Sequence, residues 1–210
     1  MSVNQWISSA ANILLLINII LYFKSFSARG KAFKIYSFYL LVIFCIQITA
    51  IYLARSGANN LFLSHVYFVS QFVLLSFFFR ELFVSHLFKQ IIAWFCILAL
   101  CLLILQYIFT EDILNRFNAP GMLSTSIVLI AYSVAYFYKL LDGRKKFLLV
   151  NAGILLYLVS STLIFVTANL TNLLDRSQNK LIWILNSVLY LIYQLLIFIE
   201  WRRNFSMKKD

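Results

Sequence analysis

Apolar residues fill this chain in seven long blocks separated by short polar stretches. Each block is near the ~20 residues a helix needs to cross the hydrocarbon core of a bilayer. The pattern predicts helical spans over 7–23, 35–54, 61–79, 90–109, 122–138, 147–168 and 181–200. The fifth is short and carries Ser124, Thr125 and Ser126 at its start. Within the blocks the apolar run is continuous rather than alternating, which disfavours a transmembrane barrel.

Composition agrees with this reading. Of 210 residues, 63% are hydrophobic and 12% charged, whereas soluble domains carry about 25% charged residues. There is too little polar surface to cover a water-soluble fold. Five glycines and one proline suit long, unbroken helices with short connections and argue against the interrupted helices of many transporters. The expected fold class is an all-α membrane protein: a single seven-transmembrane-helix bundle over 1–210, ending in a basic tail over 201–210.

Charge placement predicts the orientation. Fourteen of the 18 lysines and arginines fall in the first, third and fifth loops and the tail, and four in the alternate loops. The positive-inside rule then puts the N-terminus outside and the C-terminus in the cytoplasm, in a cytoplasmic membrane. Lys24, directly after the first span, marks that span as a retained anchor rather than a cleaved leader. The net charge of +11 therefore points to the anionic leaflet of a bilayer, not to nucleic acid. Arg29, Lys31, Arg144, Lys145, Lys146, Arg202 and Arg203 are the expected headgroup or partner contacts. Trp6, Trp94, Trp183 and Trp201 fall near span ends, where interfacial anchoring accounts for them. A glycosylation sequon, Asn169-Leu-Thr171, is expected near the outer surface.

The candidate chemistry is sparse. No acidic or basic residue sits at the centre of a span, where a charge would mark an ion or proton path. No metalloprotease or nucleophile-elbow motif occurs. Cys45, Cys96 and Cys101 lack metal-ligand spacing. His65 and His86 are expected on opposite membrane faces, so no shared metal is predicted. Neither a catalytic group nor a cofactor is therefore expected. The strongest polar positions inside the spans are amides, a histidine and a tyrosine. Gln47, His65, Gln71, Asn186 and Tyr190 are read either as interhelical hydrogen-bonding groups or as the lining of a ligand cavity in the outer half. A third set, Glu81, His86 and Glu200, would be all that an intramembrane lipid-modifying enzyme could use; otherwise these are charges at helix ends in the headgroup layer.

Segments 15–33 and 129–147 align at a shift of 114, matching Tyr22-Phe23 with Tyr136-Phe137 and Phe33 with Phe147. That alignment suggests a parallel 3+1+3 repeat. Length, seven N-out spans, basic odd-numbered loops and the aromatic third span HVYFVSQFVLLSFFFREL (65–82) resemble the seven-helix sensor regions of bacterial membrane histidine kinases, in stand-alone form. The resemblance implies a sensory or signal-relay module acting through a histidine kinase or another membrane effector. The repeat is also similar to the PQ-loop and sugar-exporter families, which implies a small-solute or lipid transporter. The Pro-Gln pairs of those families are absent here, and Pro120 is followed by Gly121 in the fourth loop.

Overall fold

The computed structural model describes residues 3–141, 146–170 and 176–206, except for the side chains of 165–170 and 176–179. The described residues form seven α-helices and no strand: α1 (Val3–Lys24), α2 (Lys31–Arg55), α3 (Leu61–Leu82), α4 (His86–Phe109), α5 (Ala119–Leu140), α6 (Leu148–Leu170) and α7 (Arg176–Glu200). A 3-10 turn, Ile113–Asn115, sits between α4 and α5, and a π-helical turn, Trp201–Phe205, extends α7. Six of the predicted spans lie within helices that extend them by a few residues, and the sixth begins one residue before α6, at Phe147. Six helices are long and apolar enough to cross a membrane; the apolar part of α6 with described side chains is shorter, Leu148–Ile164. The chain is thus an all-helical, multi-pass membrane protein. Arg144, Lys145 and Thr171 of the sequence reading lie outside the described residues, as does the side chain of Asn169.

Pro120 differs from its expected place in a loop. It occupies the first turn of α5, where a helix tolerates proline because the missing N–H has no partner there anyway.

The helices group into two compact units. One contains Met1–Arg29 and Ser133–Asp210, the other Gly30–Tyr132, so the boundary falls within α5. This division does not follow the two sequential halves that a 3+1+3 repeat would give.

In the first unit α7 packs against both α1 and α6. Buried polar groups pair between helices of this unit, α1 with α7 and α5 with α6, because lipid offers them no alternative partner. Asn18 Nδ2 donates to the Gln194 carbonyl (2.9 Å) and to Gln194 Oε1 (3.1 Å). Ser133 Oγ donates to Asn151 Oδ1 (2.8 Å), and Asn151 Nδ2 returns a bond to the Ser133 carbonyl (3.0 Å). Such contacts stabilise by about 0.6 kcal/mol each in membranes. The rings of Tyr157 and Tyr193 stack at 5.7 Å, with Tyr190 tilted against Tyr157 at 5.5 Å. Gly153 makes room for this cluster: a Cβ there would lie 2.6 Å from Tyr193 Cδ2.

In the second unit α3 packs against both α2 and α4. Its core is aromatic, with Tyr36, Phe78 and Phe79 fully buried. Gln71 Nε2 donates to the Tyr39 hydroxyl (3.3 Å), tying α3 to α2. Along α4 only Ile92, Cys96 and Leu103 are buried. Most of its other apolar side chains, including Trp94 and Ile108, are exposed in the chain alone, a surface that hydrocarbon accepts and water does not.

Candidate functional site

The densest polar network of the second unit surrounds the α4–α5 connection. Two helices and the loop itself build it. His65, one turn into α3, is buried, and both ring nitrogens are engaged. Its Nε2 lies 2.8 Å from the Arg116 carbonyl, which can only accept, so Nε2 carries the proton and donates. In the neutral ring Nδ1 then accepts from the Tyr107 hydroxyl at 2.6 Å. The histidine thus pins the loop to α3 and α4. Asn59 Nδ2 adds a bond to Asn115 Oδ1 (3.3 Å).

Beside it, Gln106 and Asn118 form a reciprocal amide pair. Gln106 Nε2 donates to Asn118 Oδ1 (3.1 Å), and Asn118 Nδ2 donates to Gln106 Oε1 (3.0 Å). Asn118 Oδ1 also accepts from the Gly121 N–H (2.9 Å), so the same side chain caps the N-terminus of α5. Gly121 has to be glycine for this, because a Cβ would lie 2.6 Å from Asn118 Nδ2.

Gln106 of this pair lines the polar end of a cleft between α4 and α5. The cleft encloses about 420 Å³, within the roughly 300–1,000 Å³ of small-molecule sites. Phe95, Leu102 and Gln106 on α4, and Gly121, Ser124 and Val128 on α5, lie along its walls. From Phe95 to Gln106 it follows α4 for eleven residues, about 16 Å at the helical rise. One end is apolar and the other holds an amide and a hydroxyl, and the cleft is open along one side. It can hold an elongated, mainly apolar molecule with one hydrogen-bonding head.

A second buried polar centre lies in the first unit. Glu200, the last residue of α7, is fully buried. Its Oε1 accepts from the Phe147 N–H (2.7 Å) and from Asn204 Nδ2 (2.6 Å), and its Oε2 accepts from the Leu149 N–H (2.8 Å). The carboxylate caps the start of α6, where unpaired amides and the helix dipole favour an anion. The backbone at Phe147 is left-handed (φ 58°). The π-helical turn continues α7, and on it Phe205 is buried against Phe147, 4.8 Å between ring centroids. Arg29 donates to the Phe205 carbonyl (2.9 Å) and lies 5.6 Å over its ring. Glu200 is therefore not an exposed charge at a helix end, as its position at the end of an apolar run suggested. Both its oxygens are occupied by backbone.

The five cavity candidates from the sequence are divided between the two units. Gln47, His65 and Gln71 belong to one unit, and Asn186 and Tyr190 to the other. Gln47 is half-buried on α2. His65 and Gln71 share α3 but bond different partners. Asn186 keeps a buried Oδ1 with no hydrogen bond among the described residues, and Tyr190 belongs to the tyrosine cluster. Neither Glu81, which is half-buried, nor the exposed His86 lines the α4–α5 cleft. Of the basic candidates, Arg29 is held by Phe205, while Lys31, Lys146, Arg202 and Arg203 are exposed. Sequence reading missed Tyr107, Asn118 and the cap made by Glu200. Asn118 two residues before Pro120 was the available signal, since an Asn followed by proline and glycine reads as a helix start.

The chain matches no protein-family model, no curated protein and no solved structure.

Proposed function

We propose that this protein is a sensory or signal-relay module of the cytoplasmic membrane. It binds a small amphipathic molecule in the α4–α5 cleft and acts through a partner protein. The observation that carries this reading is the double use of Asn118: it pairs with Gln106 at the polar end of the cleft and caps α5. A ligand head that competes for the Gln106 amide alters the cap of α5, the helix that contributes residues to both compact units. Differential binding of this kind is what shifts a conformational equilibrium. The distribution of lysine and arginine supports an outside N-terminus and a cytoplasmic C-terminus. In that orientation Lys31, Arg144, Lys145, Lys146, Arg202 and Arg203 face the anionic leaflet, or a histidine kinase or other effector. No catalytic step is assigned to this chain.

Deleting the protein should change transcription in its host, and Gln106→Leu, at unchanged abundance in the membrane, should reproduce the deletion. Wild-type behaviour of that variant would remove the cleft from the mechanism. Solute flux through liposomes containing this chain alone, with no transcriptional effect of deletion, would replace the relay by a transporter.

A further inference from the structure

We propose that a groove between α3 and α4, separate from the α4–α5 cleft, is a binding site for an anionic phospholipid. One acyl chain lies in the groove, and the lipid phosphate rests on Arg80.

The groove encloses about 340 Å³. Val73, Phe77 and Arg80 lie along its α3 wall, and Ala93, Ile97 and Leu100 along its α4 wall. On each helix these positions recur at spacings of three and four, so each wall is one continuous helical face. From Val73 to Arg80 the wall runs seven residues, about 10 Å at the helical rise. Arg80 lies in the last turn of α3. Only Phe83, Val84 and Ser85 separate α3 from α4, so the cation marks the end of the groove nearest this loop. Lys89, in the first turn of α4, belongs to the same end.

Three features select the occupant. First, the walls are almost wholly apolar. An extended peptide would bring amides that such walls leave unpaired at a cost of a few kcal/mol each, whereas an alkyl chain brings none. Second, the groove is flanked by exposed apolar side chains, including Phe77 and Ile97. In a membrane these meet acyl chains already, and the groove lies open to them. Third, Arg80 is exposed and makes no hydrogen bond or ion pair with the described residues, and no carboxylate lines the groove. A guanidinium over an apolar slot is complementary to a phosphate carried on an alkyl chain. A free phosphate would use the cation and leave the slot empty. The positive-inside reading puts this loop on the cytoplasmic side, where anionic lipids concentrate.

The test uses the full chain, purified in detergent and stripped of lipid. Native mass spectrometry follows its titration with palmitoyl-oleoyl phosphatidylglycerol, with phosphatidylcholine of the same chains, and with inorganic phosphate. Phosphatidylglycerol should bind more tightly than phosphatidylcholine. Arg80→Gln should reduce that preference about fivefold, the effect of one basic residue's attraction to an anionic headgroup, and Arg80→Lys should keep most of it. Ala93→Phe, which fills the slot without touching the charge, should weaken both lipids. Equal binding of the two lipids, or an unchanged preference in Arg80→Gln, overturns the proposal. So does full competition by inorganic phosphate, which would mark a plain anion site. Arg80 is exposed, so its two variants are read on folded protein even if Ala93→Phe fails to fold.

Discussion

Replacing Glu200 by glutamine keeps the shape of the side chain and changes what it can accept. In the native protein three N–H donors converge on two carboxylate oxygens, at 2.6 to 2.8 Å. A glutamine carbonyl placed at Oε1 keeps Phe147 and Asn204, but its amide nitrogen then faces the Leu149 N–H, donor against donor. An orphaned buried donor costs about 1–3 kcal/mol, and the two remaining bonds each weaken by up to about 1 kcal/mol when the acceptor loses its charge. Loss of the anion at the helix N-terminus adds about 0.3–1 kcal/mol. Against these stands relief from burying a charge, which is itself several kcal/mol before compensation. The net expectation is a loss of about 2 kcal/mol, concentrated in the first turn of α6. Hydrogen exchange of the Leu149 amide, measured in detergent or nanodiscs, reads it directly: about 2 kcal/mol is roughly thirtyfold faster exchange. Glu200→Ala should exchange faster still, and Glu200→Asp, one methylene shorter, should lie between wild type and alanine. Exchange within threefold of wild type in Glu200→Gln would show that the carboxylate does not hold α6, and that the buried cap is wrongly assigned.

Other substitutions probe the remaining contacts. Gly153→Ala places a methyl 2.6 Å from the Tyr193 ring; it should destabilise by about 1–3 kcal/mol, read as a lower midpoint in SDS-induced unfolding. His65→Phe keeps an aromatic ring and deletes both bonds of the imidazole. It should cost about 1–3 kcal/mol and speed exchange across residues 110–118, while leaving the α3–α4 end unchanged. Single cysteines at the exposed positions Asp112 and Ser85, in a chain cleared of its own cysteines, test the orientation. An impermeant maleimide added to intact cells should label the first and spare the second, and the reverse pattern would invert the topology.

The sequence by itself determined that this is a helical membrane protein, and its apolar blocks fall on helices whose ends differ by up to five residues from those of the blocks. Both follow from local, additive quantities: the length of an apolar run and the cost of leaving backbone amides unpaired in hydrocarbon. It also singled out Gln71 and His65 as buried polar groups in need of partners. The partners themselves were not legible. Asn18 meets Gln194 across 176 residues, and Glu200 caps a helix that starts 52 residues before it. Side-chain pattern alone assigns an acid at the end of an apolar run to the water interface. Only the packing of Phe205 against Phe147, together with the left-handed backbone at Phe147, sets that acid against two amides. The clefts on either side of α4 were likewise decided by tertiary structure, because a run of leucine and isoleucine looks the same whether it faces a neighbouring helix, a ligand or lipid. Hydrophobicity is non-directional and hydrogen bonds are not. The first could be read residue by residue, and the second only once distant residues were brought together.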